Sequence, residues 1–200
     1  MMVLVKTYTA PIVDVRETLR YAGVRKASHD MVLLVEDCQK AAAEVLDFRV
    51  CYAEFPMTIG YDSTVDFGFA RMRSIALAEH LQGCDRAVVF AATVGLGLDR
   101  LIAKAAPKTP SRALLLDAVG VERIEALCEA FCADLAAQGK ERGDRVTRRF
   151  SPGYGDLSLI HQRNIARVLD TARHIGVSLN ESCLMSPSKS VTAIVGLIKK

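Results

Sequence analysis

The chain has 200 residues, half of them hydrophobic and 24 % charged, with a formal net charge of +3. That length suits one domain with a sizeable core, and so small a net charge gives no case for a nucleic-acid binder, which usually needs a concentrated basic stripe. The densest basic stretch, Lys140 to Arg149, is diluted by Glu141 and Asp144, and no run of about 18 apolar residues offers a membrane span.

The opening, MMVLVKTYTAPIVDV, lacks the basic n-region and long apolar core of a signal peptide. Val13 to Ala22 is a short helical candidate. Met31 to Leu46 is a second, with Ser28 or Asp30 as N-cap and Met31, Leu34, Val35, Ala42, Val45 and Leu46 mostly on one face. Arg49 to Ile59 is extended in character, and Tyr61 to Thr64 is a turn. Val65, Phe67 and Phe69 then alternate with Asp66 and Gly68, the mark of a half-buried strand. Ser74 to Leu81 is predicted helical, and the apolar run Ala87 to Ala92 reads as a buried central strand.

The clearest helix follows. Thr109 can cap it, with Pro110 at the first helical position. Val121, Ile124, Cys128, Phe131 and Leu135 recur at spacings of three and four, and Gly139 is the expected stop. Gly120 is a point where this helix can bend or divide. Asp156 is predicted to begin another helix, ended near Ile175 by Gly176. Val177 to Leu179 can be a short strand and Val191 to Ile198 a strong terminal one. Helices interleave with strands without a regular βαβ alternation. The fold class expected is therefore α+β, one domain over residues 1–200 with a mainly antiparallel sheet.

The six cysteines, Cys38, Cys51, Cys84, Cys128, Cys132 and Cys183, form no C-x-x-C pair. Their scatter argues for a reducing compartment, and with the opening segment for a cytoplasmic protein. Cys128 and Cys132 share a helical face. No nearby His or Cys completes a metal site, so they read as small buried hydrophobes. His29, His80, His161 and His174 are dispersed. H-E-x-x-H, G-x-S-x-G and the D-x-H-x-x-G of a protein that holds cobalamin are all missing.

Three segments stand out. Thr93 to Arg100 places Gly95-Leu96-Gly97 between the buried strand and a helix, where backbone N–H groups can meet a phosphate. The third glycine of a dinucleotide fingerprint is replaced by Arg100, so a tight strand-to-helix turn is the simpler reading. Arg148 to Asp156 contains Arg149-Phe150-Ser151-Pro152-Gly153-Tyr154. The arginine offers a planar fork suited to a carboxylate, Pro152 and Gly153 shape a loop, and Tyr154 offers a ring face attractive to a cation. An amino-acid carboxylate joined to a sulfonium would use both; the alternative is a helix-entry loop with a solvated arginine. The third, Asn180 to Val191, is a polar loop containing Pro187.

The second and third segments together resemble the activation domain of cobalamin-dependent methionine synthase, and more closely the stand-alone bacterial proteins built like it. The family pattern is R-x-x-P-G-Y, a helix, a glycine turn, then L-T-E-S-x-x-M-x-P-x-x-S-V. Here the first part is Arg149, Pro152, Gly153 and Tyr154, and the second is Leu179, Glu181, Ser182, Met185, Pro187, Ser190 and Val191. Asn180 replaces the threonine, Lys189 replaces a small residue, and Ile194 and Val195 stand where the full-length enzymes carry aromatics.

The resemblance implies a domain built on a twisted, mainly antiparallel sheet flanked by helices. It implies S-adenosylmethionine binding by Arg149, Ser151, Pro152, Gly153 and Tyr154, helped by Glu125, with Glu181, Ser182, Met185, Lys189 and Ser190 as a second loop. No residue of this chain is expected to act as a catalytic nucleophile, and no metal ligand is expected. In the family, oxidised cobalamin is reactivated by one electron and a methyl group from S-adenosylmethionine. The implied role is an accessory subunit acting in trans on a separate methionine synthase or its cobalamin-binding module, with a flavodoxin-type or ferredoxin-type electron donor. Two alternatives stay open. One is a partner or sensor of another corrinoid protein without methyl transfer. The other is a nucleotide-binding enzyme using Gly95-Leu96-Gly97.

Overall fold

The structure, a computed structural model, describes residues 2–199; Met1 and Lys200 lie outside the described residues. In chain order the elements are β1 (Leu4–Thr7), α1 (Val15–Tyr21), α2 (His29–Ala43), β2 (Arg49–Pro56), β3 (Thr58–Ile59), β4 (Thr64–Asp66), β5 (Arg71–Arg73), α3 (Ile75–His80) and β6 (Arg86–Thr93), followed by α4 (Leu96–Ala105), α5 (Pro110–Arg142), β7 (Asp144–Phe150), α6 (His161–Leu169), α7 (Thr171–Ile175), β8 (Ser178–Leu179), β9 (Met185–Ser186) and β10 (Ser190–Lys199).

The architecture is α+β, as expected. Five strands form an antiparallel sheet in the order β1-β2-β6-β10-β7. The two most apolar runs, β6 and β10, lie at its centre, where both faces are covered. On one face α2 and α5 pack over Val88, Phe90, Ala92, Ala193 and Val195. On the other, α3, α6 and α7 cover Val89, Ala91 and Ile194 with the small sheet β3-β4-β5. Successive strand residues point to opposite faces, so each central strand feeds two cores. Phe131 of α5 anchors the first, its ring 4.8 Å from Phe90 and 5.0 Å from Tyr52.

Several expectations are corrected. The helix begun at Pro110 does not divide at Gly120: α5 is continuous for 33 residues. Gly120 serves close approach instead, since a Cβ there would lie 2.6 Å from Leu98 Cδ2 and 2.8 Å from Lys189 Cγ. Gly139 does not stop the helix. It remains helical against Val146, and Gly143, in the left-handed conformation at φ 79°, ends it. Asp156 does not begin a helix. Its carboxylate accepts hydrogen bonds from the Ser74 hydroxyl and from the N–H groups of Ile75 and Ala76, capping α3 from across the chain. The predicted helix starts at His161 and divides at Asp170, a left-handed residue. The Phe67–Phe69 alternation belongs to a turn: β4 ends at Asp66, and the Phe67 N–H bonds the Ala70 carbonyl. The Arg49–Ile59 stretch divides into β2 and β3.

No helix among the described residues is long and apolar enough to cross a membrane.

Candidate functional site

The last strand residues of β7 are Arg149 and Phe150, which sequence analysis treats as loop. Arg149 pairs in register with Val195 and Phe150 with Ile194, so β10 fixes the backbone from which both project. Alternation then separates them. Arg149 turns toward α5, where its Nη2 donates to the Glu125 carboxylate. Phe150 turns to the opposite face, with its ring 5.2 Å from His80 and 6.0 Å from the edge-on Tyr154. The His80 ring nitrogen Nε2 sits 2.7 Å from the Arg148 carbonyl oxygen, tying α3 to the same strand end.

The Arg149–Glu125 pair is sheltered: the two side chains keep 20 % and 32 % of their exposure. Burial alone would lower the pKa of Arg149, but the Glu125 carboxylate, by its charge and by accepting a hydrogen bond, helps hold the guanidinium above its ordinary value. Burial pushes the Cys128 thiol up to about 12. It is therefore neutral at pH 7, and Glu125 supplies the effective counter-charge. Cys128 and Cys132 lie beneath Arg149 as apolar cover. No group of three His, Cys, Asp or Glu among the described residues is arranged to hold a metal.

After Phe150 the chain makes a compact turn. Ser151 and Pro152 are buried. The Tyr154 N–H bonds the Ser151 carbonyl, and the Gly153 N–H bonds Leu157 O at 2.8 Å. Gly153 sits at φ 96°, a conformation L side chains rarely adopt. Its positive φ turns the backbone so that Tyr154 stands out, about half exposed.

The second loop reaches the same end of the sheet, because β10 starts where β7 finishes. Its parts have different tasks. Asn180 Oδ1 accepts from the N–H groups of Ser182 and Leu184, and Arg163 donates to the Glu181 carbonyl and to Cys183 Sγ. Asn180 thus organises the hairpin β8–β9, while the Glu181 and Ser182 side chains remain exposed at its tip. Ser188 bonds the Asp99 carboxylate through its N–H and its hydroxyl. Lys189 is committed to Asp117 of α5 at 2.6 Å, and the Ser190 hydroxyl lies 2.9 Å from Thr93 Oγ1 and 2.8 Å from the Pro187 carbonyl. Lys189 and Ser190 therefore fasten the loop to the sheet.

The structure brings together Arg149, Glu125 and the Ser151–Tyr154 turn. Met185 does not meet them; it lines a neighbouring cleft of about 350 Å³ with Leu159, Gln162, Cys183, Leu184 and Ser188. Leu159 forms its shared wall, because a Cβ on Gly153 would lie 3.4 Å from Leu159 Cδ1. Leu159 and Gln162 carry no motif and give no signal in the sequence, whereas Cys183 falls within the second loop's pattern without a role of its own. Gly95-Leu96-Gly97 packs against the connection between α2 and β2: a Cβ on Gly97 would strike the Val45 carbonyl, and one on Gly95 would lie 3.1 Å from Asp47 Cβ. These contacts account for both glycines without a phosphate.

An antiparallel five-stranded sheet with a long helix on one face and the Arg149 turn at its edge defines the class of domain. Its fold is that of the reactivation domains. The solved structure described as the MetH reactivation domain bound to AdoHcy has the same fold, with a TM-score of 0.68 over 98 % of this chain and 78 % of that one, at 15 % sequence identity. No family model matches the sequence, and no curated protein matches it.

Proposed function

We propose that this chain binds S-adenosylmethionine at the Arg149 turn and acts as an activation subunit for cobalamin held by a separate methionine synthase. One observation carries the reading. Arg149, steadied by Glu125, sits at a strand end directly before the Ser151–Tyr154 turn, within the fold of a domain whose solved structure is bound to AdoHcy.

The chemistry of the pair suits an amino-acid ligand. A guanidinium has five N–H donors and only one side of the fork is taken by Glu125. The free side can grip a carboxylate, while the second Glu125 oxygen can accept from the α-ammonium. The exposed Tyr154 ring offers a face to a sulfonium. Pro152, Gly153 and Ser151 shape that approach. Met185, with the exposed Glu181 and Ser182, rims the second loop.

In this reading the residues supply no nucleophile. They orient the donor methyl outward, and positioning is their main contribution. Cobalamin would remain on the partner and supply the methyl-accepting centre. An electron donor of flavodoxin or ferredoxin type completes the scheme. A sensor that binds the same ligand without methyl transfer differs only in the second step.

The test has two stages. Calorimetry and thermal shift with S-adenosylmethionine, ATP and NAD should show heat and stabilisation with the first alone. The chain is then mixed with a methionine synthase truncated before its own activation domain, a reductant and labelled S-adenosylmethionine. Label appearing on the corrinoid supports activation in trans. Binding without transfer leaves the sensor reading, and no binding at millimolar ligand overturns both.

A further inference from the structure

A hollow of about 410 Å³ lies between the last turns of α5 and the sheet, at the opposite end of β7 from Arg149. Its floor is Tyr52, Val88 and Leu197, all on the α5 side of the sheet, and Leu135 covers it from the helix. Leu4, which pairs in register with Tyr52, forms the outer wall with Met2. Gly139 brings α5 close to β7, since a Cβ there would lie 2.7 Å from Val146 Cγ2. Over β1 and β2 the same turns stand off, and the hollow is the space between. The missing cover leaves Met2 at 74 % and Leu4 at 41 % exposure, apolar surface that gains by burial.

The mouth of the hollow is charged, with Glu54, Asp144 and Arg142 around it. Arg86 donates to Glu54 at 2.7 Å and to Asp144 at 2.9 Å, so one guanidinium already answers both carboxylates. Arg142 is different. It is the last residue of α5, its side chain is 60 % exposed, and its only bond among the described residues, to Glu54, is long at 3.4 Å. A guanidinium carries five N–H donors, so Arg142 keeps most of them for a second acceptor. Apolar walls behind one under-used cation suit an amphiphilic anion, its tail in the hollow and its carboxylate in a charge-assisted bond at the mouth. A cation is served worse, because the acids there are already paired. The volume lies toward the lower end for small-molecule sites, which fits a medium-length tail.

We infer that this hollow is a second binding site, for a small carboxylic acid with a linear apolar tail. Arg142 holds the carboxylate, and the tail lies over Tyr52, Val88 and Leu197 against the Leu4 wall. Asp144 and Arg149 stand five residues apart on β7, about 16 Å along the strand, so the site is separate from the Arg149 turn and both can be filled at once. The inference goes beyond the S-adenosylmethionine reading and does not depend on it.

The test is calorimetry and thermal shift on the full chain with hexanoate, octanoate, octanol and octylammonium. Octanoate should bind at one site per chain and raise Tm. It should bind roughly tenfold more tightly than hexanoate, since each buried methylene is worth about fourfold. Octylammonium should give no saturable heat. Arg142→Gln removes the charge and should weaken octanoate by about threefold to tenfold while leaving octanol unchanged. Leu4→Glu sets a like charge on the apolar wall at a half-exposed edge position, where the fold tolerates it, and should weaken octanoate by about tenfold. Arg149→Ala should leave octanoate affinity as it is. No saturable binding of octanoate at millimolar concentration overturns the inference. So does octylammonium binding as well as octanoate, an octanoate affinity unchanged in either folded variant at Arg142 or Leu4, or one that falls with Arg149→Ala.

Discussion

Truncating Arg149 separates a ligand-gripping arginine from a structural one. Arg149→Ala removes the guanidinium and leaves Glu125 without its counter-charge. The pair is sheltered but not sealed, at 20 % and 32 % exposure, so solvent screens part of the penalty. The structural loss should lie between an exposed pair and a fully buried one, about 1–2 kcal/mol. For a domain of this size that is a fall in Tm of roughly 2–8 °C. The loss in affinity should be larger. A charge-assisted hydrogen bond contributes about 1.5–3 kcal/mol, and one arm of the fork is engaged by Glu125. Losing the free arm should therefore weaken S-adenosylmethionine binding by about tenfold to a hundredfold. Lysine should rescue partly, because it keeps charge without the fork. Glu125→Gln should weaken binding less than Arg149→Ala, since the guanidinium remains but is held less firmly. Calorimetric titration of the four proteins at one salt concentration, with Tm measured in parallel, tests this. Equal affinities in the natural chain, Arg149→Ala and Arg149→Lys, all folded, would refute the assignment.

Other predictions concern the scaffold. Phe131→Ala should cost about 3–5 kcal/mol by denaturant unfolding, because the ring is fully buried against Phe90 and Tyr52. Gly97→Ala should cost about 1–3 kcal/mol, since its methyl group runs into the Val45 carbonyl; unchanged stability would reopen that turn as a ligand loop. Asp156 and Asp134 are both held below the usual carboxylate range, the first by the Ser74 hydroxyl and the N–H of Ile75, the second by Lys6 and Tyr8. Such depressed groups stabilise the fold above the unfolded pKa near 3.9, and that contribution is lost as pH falls through their folded values. Tm should therefore drop below about pH 4, and the Asp134→Asn/Asp156→Asn double variant should show a shallower drop. Native alkylation at pH 8 should spare Cys128, whose thiol burial pushes up to about 12, while denaturation exposes it to reagent.

Periodicity made the largest elements legible. The three-and-four spacing in α5 and the unbroken apolar runs of β6 and β10 are local properties, written in consecutive residues, and their burial follows from their composition. The R-x-x-P-G-Y and E-S-x-x-M-x-P-x-x-S-V patterns likewise pointed to two segments that the fold places at one end of the sheet. The edge strands β1 and β7 were not legible, because half-exposed strands carry mixed polar residues and owe their existence to pairing with β2 and β10.

The roles of single residues were decided by partners far away in sequence. Asp156 reads as the cap of the helix that follows it, yet it caps α3, some eighty residues earlier, because the turn at Gly153 carries it there. Gly120 and Gly139 read as breaks, but each makes room for a neighbour, and breaking is left to Gly143, where no Cβ resists positive φ. Lys189 reads as part of a ligand loop and is held by Asp117. Glutamine carries no motif, so Gln162 was silent until packing buried it and left its amide oxygen unpaired. Local sequence determines the long helix and the central strands. Which polar groups meet, and which are left without a partner, is decided when the sheet brings distant segments together.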